Sequence, residues 1–353
     1  MKDSLGARGS VRFGVIGCGT VAYWTHLREL KKLNRARLVA AADPDPSARA
    51  RASRLANVPV HANANELLAR SDIDAVIISA PNCFHAELAL AAAKAGKHLY
   101  LEKPIAVAAG DARRVVDAAE EAGIVSAMGF NRRCHPVFEQ GRALISKGKI
   151  GRVRAVQTVF SEPSLPASMP DWKRGRETGG GVLLDLASHH LDLLRWFLGD
   201  EVERIEARVT SDVTEQDSAW LWLSMRSGAE ASGFFSFRAG RADTLEFIGE
   251  HGTLRLDRHR CVLSLRRGRR FGYGVRRSFV LPSAGAVAWR LARLTRPSWE
   301  SSYRRALAAF VQMCRGGPRR LASLSDGLRN LEIILAAEES ARTGAVVPVA
   351  GGI

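Results

Sequence analysis

Residues 11–22 read Val11-Arg12-Phe13-Gly14-Val15-Ile16-Gly17-Cys18-Gly19-Thr20-Val21-Ala22. Val11–Ile16 is a short apolar run suited to a buried strand. Gly17-x-Gly19-x-x-Ala22 follows without a spacer, and residues 21–33 have helical character. Strand, glycine turn and helix in this order form a cradle for a dinucleotide pyrophosphate. The first glycine permits a tight turn, the second lets backbone approach the phosphates, and the small third residue lets helix lie close on strand. Free N–H groups at the helix start face the anion. Gly17, Gly19, Thr20 and Val21 are therefore candidate cofactor contacts.

Working outward, a second strand over 37–42 ends at Asp43. An acid at that distance binds the ribose 2′-hydroxyl and repels a 2′-phosphate, which favours NAD over NADP. Asp43-Pro44-Asp45-Pro46 also resembles a helix N-cap, a role that Asp45 can fill instead. Further strands are expected at 75–79, 98–101 and 124–129, with helices at 84–95 and 110–122. Such alternation predicts an α/β doubly wound parallel sheet. Ligands of these sheets bind beyond the carboxyl ends of the strands. Those ends carry Ala80-Pro81-Asn82-Cys83-Phe84-His85 and Glu102-Lys103-Pro104.

The second half reads differently. Runs at 152–160, 202–213, 218–226, 229–238, 243–249 and 252–257 have strand character, punctuated by Gly228, Gly240 and Gly252. Among them a helix is expected from about Gly181 to Leu198. Asp185 and His189 stand four residues apart on it, which puts both on one face. A carboxylate beside an imidazole is a proton-transfer pair. His190 points elsewhere on the helix, and Asp192 is read as a structural hydrogen bonder.

The 353 residues allow two domains, and 46% are apolar, enough for sizeable cores. No apolar run is long enough to span a bilayer, and Met1–Ser10 lacks the apolar core of a signal peptide, so a cytoplasmic location is expected. The five cysteines form no C-x-x-C pair, which argues against a metal or redox motif. Net charge is +16, and it is concentrated: residues 258–305 hold thirteen arginines and one acid, Glu300. Three readings of this segment stay open. It is a solvated edge, or it pairs with phosphate on an anionic substrate, or residues 286–296, with Trp289 and two leucines, make peripheral contact with an anionic membrane. Nucleic acid is not expected, since no binding module or aromatic platform accompanies the arginines.

Taken in order, Gly17-x-Gly19-x-x-Ala22, Pro81-Asn82-x-x-His85, Gly96-Lys97-His98 leading into Glu102-Lys103-Pro104, Gly129-Phe130-Asn131-Arg132-Arg133, Gly179-Gly180-Gly181 with Asp185, His189 and Asp192, and Ser340-Ala341-Arg342-x-Gly344 cover nearly the whole chain. This set resembles the Gfo/Idh/MocA oxidoreductases, the group of glucose–fructose oxidoreductase and inositol dehydrogenase. The resemblance implies a Rossmann domain over 1–130. It also implies a substrate-binding and oligomerisation α+β domain over 131–353, with a large open, mostly antiparallel sheet and C-terminal helices able to pack back on the first domain. A homodimer or homotetramer is implied, as is hydride transfer between NAD(P) and a hydroxyl or ketone on a sugar, sugar derivative, nucleotide-sugar or cyclitol. Lys103, Asp185 and His189 would be catalytic. Pro81, Asn82, His85, Glu102 and Lys103 would touch the cofactor, with Glu102 holding Lys103 or a cofactor hydroxyl. Asn131, Arg132, Asp171, Trp172 and His190 would meet the substrate, and no metal is implied. Two other readings remain: a catalytically silent Rossmann-fold binding protein, and a redox-neutral enzyme cycling tightly bound NAD.

Overall fold

Strands β1 (Val11–Ile16), β2 (Ala36–Ala42), β3 (Val60–His61), β4 (Ala75–Ile78), β5 (His98–Leu101) and β6 (Ser126–Met128) pair in parallel in the order β3-β2-β1-β4-β5-β6. The order reverses between β1 and β4, the position where doubly wound sheets bind ligands. All four residues of β4 are fully buried, as helices on both faces of a parallel sheet require. This computed structural model describes residues 9–164, 169–268, 275–278, 287, 291 and 300–349. They divide into two units. One takes the described residues within 1–131, 177–179 and 300–331, and the other takes the rest.

The first unit's helices have local causes. A π-helical turn, Ala22–His26, follows the glycine loop and runs into α1 (Leu27–Leu30), shorter than the expected 21–33. Helix α2 (Pro46–Ala56) starts at Asp45, whose side chain accepts from the amides of Ser47 and Ala48, with Pro46 in the first turn. Asp45 thus takes the cap and leaves Asp43 for another purpose. Helices α3 (Ala64–Leu68), α4 (His85–Lys94) and α5 (Ala109–Glu121) complete the alternation. Much later in the chain, α8 (Ser301–Cys314) inserts Phe310 beside Phe13 and Tyr100, with ring centroids 6.2 and 5.5 Å away.

The second unit is built on a nine-stranded sheet ordered β14-β13-β12-β11-β7-β10-β9-β8-β15. Its strands are β7 (Val153–Ser161), β8 (Val202–Thr210), β9 (Ser218–Met225), β10 (Glu230–Ser236), β11 (Ala242–Gly249), β12 (Gly252–Asp257), β13 (Val262–Gly268), β14 (Val275–Ser278) and β15 (Val347–Pro348). Only the β7–β10 pair is parallel. Period-two alternation buries Val156, Leu221, Leu223, Leu245, Phe247, Leu254 and Leu256 on one face. Helices α6 (Pro136–Ser146) and α7 (Ser188–Leu198) supply Phe138 and Phe197 to that core. Phe197 lies 4.7 Å from Phe247 between ring centroids. The opposite face exposes Trp220 and Trp222. Helix α9 (Leu324–Thr343) contributes its 324–331 part to the first unit and the remainder to the second.

Strand β13 runs through the arginine-rich segment because Leu263 and Leu265 alternate inward. The candidate amphipathic stretch 286–296 lies outside the described residues except for Val287 and Leu291. Arg269 and Arg270 lie outside them too. Among the described residues, no helix is long and apolar enough to cross a membrane.

Candidate active site

The glycine loop has the shape a dinucleotide needs. Gly17 has φ +88°, and a Cβ there would stand 2.5 Å from the Ser79 carbonyl oxygen, so only glycine fits between β1 and the end of β4. A Cβ on Gly19 would meet nothing within 4 Å, so its backbone faces open space. Thr20 and Val21 follow, both exposed. The half-buried Asp43 carboxylate accepts the Cys18 amide at Oδ2 (2.6 Å) and the Asp45 amide at Oδ1 (2.8 Å). Two amides fix its orientation and leave lone pairs for ribose hydroxyls. Burial, together with the Asp43 charge, pushes the Cys18 thiol up to about 12, so Cys18 is no nucleophile. These residues fit NAD.

The turn after β5 brings out one side chain. Residues 99–106 are buried apart from Lys103, which is half-buried. Its neighbours face inward to named partners. Glu102 Oε1 lies 2.9 Å from His26 Nε2, both side chains almost wholly buried. Glu102 therefore holds the helix that follows the glycine loop, where the sequence pointed to Lys103 or a cofactor hydroxyl. His85 is fully buried, with Nδ1 2.6 Å from the Pro104 carbonyl oxygen and Nε2 2.9 Å from that of Ala80. Both ring nitrogens serve the protein's own loops. Burial lowers its pKa, so the ring is neutral. Asn82, also buried, donates Nδ2 to the Gly179 carbonyl at 2.7 Å. Pro81, half-buried, opens the short helical turn that carries Asn82.

In the second unit a π-helical turn, Leu183–Ala187, leads into α7. Such turns recur at functional sites. From 182 to 195 every residue is buried except Asp185 and His189. The loop before them is short and crowded: a Cβ on Gly180 would collide with the Lys173 carbonyl oxygen. Lys173 Nζ donates to Asp185 Oδ2 at 2.9 Å and lies 5.4 Å from the centre of the half-buried Trp172 ring. Asp171, with its side chain 97% exposed, pairs instead with Arg174 at 3.6 Å. Of the two expected substrate residues on this loop, only Trp172 is joined, through Lys173, to Asp185.

Three further substrate candidates have partners within the protein. Asn131 is buried and donates Nδ2 to Ser302 Oγ at 2.7 Å. Arg132 is buried against Asp243 at 2.8 Å, with its guanidinium 3.9 Å above the Phe160 ring centroid. His190 is buried, its Nε2 3.0 Å from Asp243 Oδ1 and its Nδ1 against Thr158 Oγ1. Arg258 binds the same Asp243 carboxylate at 2.5 Å. Burial opposes the Asp243 charge, but the Arg132 and Arg258 guanidiniums override it and hold the carboxyl well below its usual range. Burial also lowers the His190 pKa. This cluster underpins α7. Asp192 is structural as expected, clasped by Arg133 at 2.6 and 2.9 Å.

Residues 11–130 match an oxidoreductase family with an NAD-binding Rossmann fold, and residues 138–255 match the GFO/IDH/MocA C-terminal domain. The chain is 32% identical over 302 residues to 1,5-anhydro-D-fructose reductase of Ensifer adhaerens, covering 82% of this chain and 83% of that one. This chain belongs to the Gfo/Idh/MocA family. It is 28% identical over 342 residues to myo-inositol 2-dehydrogenase of Thermotoga maritima, covering 94% of this chain and 96% of that one. The WlbA dehydrogenase of Bordetella pertussis, solved in complex with NADH and UDP-GlcNAcA, shares the fold. Its TM-score is 0.82 at 24% identity, over 98% of this chain and 99% of that one.

Membership makes the chain an oxidoreductase with an NAD-binding domain. The sequence reading missed Lys173, His26 and Asp243. Lys173 follows Trp172 directly but lies twelve residues from Asp185, a separation with no periodicity to betray it. His26 lies 76 residues from Glu102, and Asp243 lies 53 from His190.

Proposed function

We propose that this Gfo/Idh/MocA oxidoreductase interconverts a hydroxyl and a ketone on a sugar, sugar derivative or cyclitol, with Lys103, Asp185 and His189 acting on the reacting oxygen. NAD, when bound, accepts or returns the hydride. His189 takes the hydroxyl proton during oxidation. The Lys103 ammonium stabilises negative charge developing on the same oxygen. Asp185 orients the substrate or tunes the other two groups.

One observation carries this reading. In two otherwise buried stretches, 99–106 and 182–195, the side chains that emerge are Lys103, Asp185 and His189. Burial elsewhere is complete, so their partial exposure serves something outside the fold. The polyol class is supported by the relatives' names, an inositol dehydrogenase and an anhydrofructose reductase. Asp43 supports NAD over NADP. Self-association as a homodimer or homotetramer is part of the proposal, supported by Trp222, 48% exposed, and by Trp220, its ring centroid 5.0 Å from that of Phe234, on the sheet face opposite the core. So is a cytoplasmic location, since all five cysteines are free thiols.

The test is initial-rate measurement with NAD and myo-inositol, D-glucose and UDP-sugars, and with NADH and 1,5-anhydro-D-fructose. Turnover of at least one is expected. Lys103→Met should cut kcat by about a hundredfold or more with NADH affinity retained. Wild-type-like rates in that variant would remove Lys103 from the chemistry.

A further inference from the structure

We infer that Lys173 is a positioning residue for Asp185, delivered by a loop built to hold it. The inference rests on the catalytic role proposed above for Asp185. Lys173 Nζ is 2.9 Å from Asp185 Oδ2, with the two side chains 29% and 24% exposed. A pair open to water to that degree adds little to folding stability. Its geometric effect is larger. Asp185 projects from a helical turn, and an aspartate at such a place samples several rotamers. The ammonium selects one of them.

The loop's construction supports this role. Residues 171–176 are tied at nearly every step. The Lys173 amide donates to Pro170 O at 2.9 Å, and the Arg174 amide to Asp171 O at 3.0 Å. Arg174 O accepts the Glu215 amide at 3.2 Å, and Gly175 O accepts the Gly180 amide at 2.9 Å. The Arg176 amide donates to Glu215 Oε2 at 2.7 Å, and its guanidinium pairs with Glu338. Glu338 is itself held by Gln216 Nε2 at 3.1 Å. The absence of a Cβ at Gly180 lets the Lys173 carbonyl seat against the chain entering the Asp185 turn. The Trp172 ring lies beside the lysine's charge. A loop fixed at this many points is pre-organised, so the lysine reaches Asp185 with little ordering still to be done.

Two measurements test the inference. The first needs no substrate. Reductive dimethylation with formaldehyde and cyanoborohydride, read residue by residue by mass spectrometry, should modify Lys173 several-fold faster in Asp185→Asn than in the wild type. Equal rates overturn the pairing, whether or not a substrate is known. The second uses the best substrate from the panel above. Lys173→Met should lower kcat about tenfold to a hundredfold, the scale of a small misplacement at a reacting centre. KM should stay within about threefold, and Lys173→Arg should recover most of the rate. Raised KM with unchanged kcat would make Lys173 a substrate contact and overturn the positioning role, as would wild-type kinetics in Lys173→Met. A wild-type protein that turns over none of the panel ends the proposed function itself, a different failure from an active wild type indifferent to Lys173.

Discussion

His85 joins the loops that end two neighbouring strands: its ring lies 2.6 Å from the Pro104 carbonyl oxygen and 2.9 Å from that of Ala80. β4 ends at Ile78 and β5 at Leu101, so the ring fixes the Lys103-Pro104 turn relative to the Pro81-Asn82 turn. A neutral imidazole has one N–H, so one of these contacts is a hydrogen bond and the other a close approach. His85→Ala leaves one loop carbonyl without its donor, which costs about 1–3 kcal/mol. The expected outcome is a lower melting temperature, with kcat reduced more than NADH affinity because Lys103 loses its support. Thermal unfolding and NADH titration check it. An unchanged melting temperature would show that the tie is dispensable.

Asp43 is the next test. Its carboxylate is oriented by the amides of Cys18 and Asp45, and α2 is capped by Asp45 rather than by Asp43. Asp43→Ala should therefore spare α2 while weakening NADH and narrowing the preference for NADH over NADPH. Loss of a hydrogen bond to a charged group, about 1.5–3 kcal/mol, corresponds to roughly tenfold to a hundredfold in Kd. Fluorescence titration with both cofactors reads the ratio. An unchanged ratio would take Asp43 off the ribose.

How far the sequence could be read follows from the range of each interaction. The strand, glycine turn and helix over 11–30, the acid after β2 and the Asp185–His189 pair are local patterns, and periodicity reveals them. Strand boundaries in the second half were legible for the same reason, within a few residues. The partners of Asn131, Arg132 and His190 were hidden because they are distant in sequence: Ser302 for the first and Asp243 for the other two. A histidine beside the candidate catalytic His189 has no local sign that it faces the sheet. β13 was hidden by its arginines, because the eye follows charge where the alternation of Leu263 and Leu265 decides the structure.

The arginine-rich segment gives a prediction that separates its readings. Arg266 is exposed on β13, and Arg267 donates to the Lys149 carbonyl at 3.0 Å. β13 is separated from β7, under α7, by β12 and β11, about 14 Å across three strand spacings. Arg266 also lies on the sheet face opposite the buried Leu263 and Leu265. Arg266→Ser with Arg267→Ser should therefore leave kcat and KM for any substrate, phosphorylated or not, within about twofold. A rise in KM confined to phosphorylated substrates would return these two arginines to anion binding.

The Asp243 cluster and the buried histidines set the acid stability of the fold. Asp243 is fully buried between Arg132, Arg258 and His190, with its pKa well below the ordinary 3.8. Asp243→Ala removes the carboxylate shared by the buried Arg132 and the half-buried Arg258 and should cost about 3–5 kcal/mol. The pH dependence follows from the signs. His85 and His190 are held neutral chiefly by burial. His259 is lowered to about 4 by burial and then by the Arg258 charge. As pH falls below 6.5, the unfolded chain binds protons on these histidines that the fold refuses, so stability falls. Through His259 the loss continues down to about pH 4. Below 3.8 the unfolded chain also protonates Asp243 while the folded carboxylate stays ionised, so the same direction continues. The melting temperature should drop steadily from pH 7 to pH 4, and His259→Asn should flatten part of that slope. Calorimetry across this range is the check. A melting temperature constant from pH 7 to pH 4.5 would mean that these rings take up protons inside the fold.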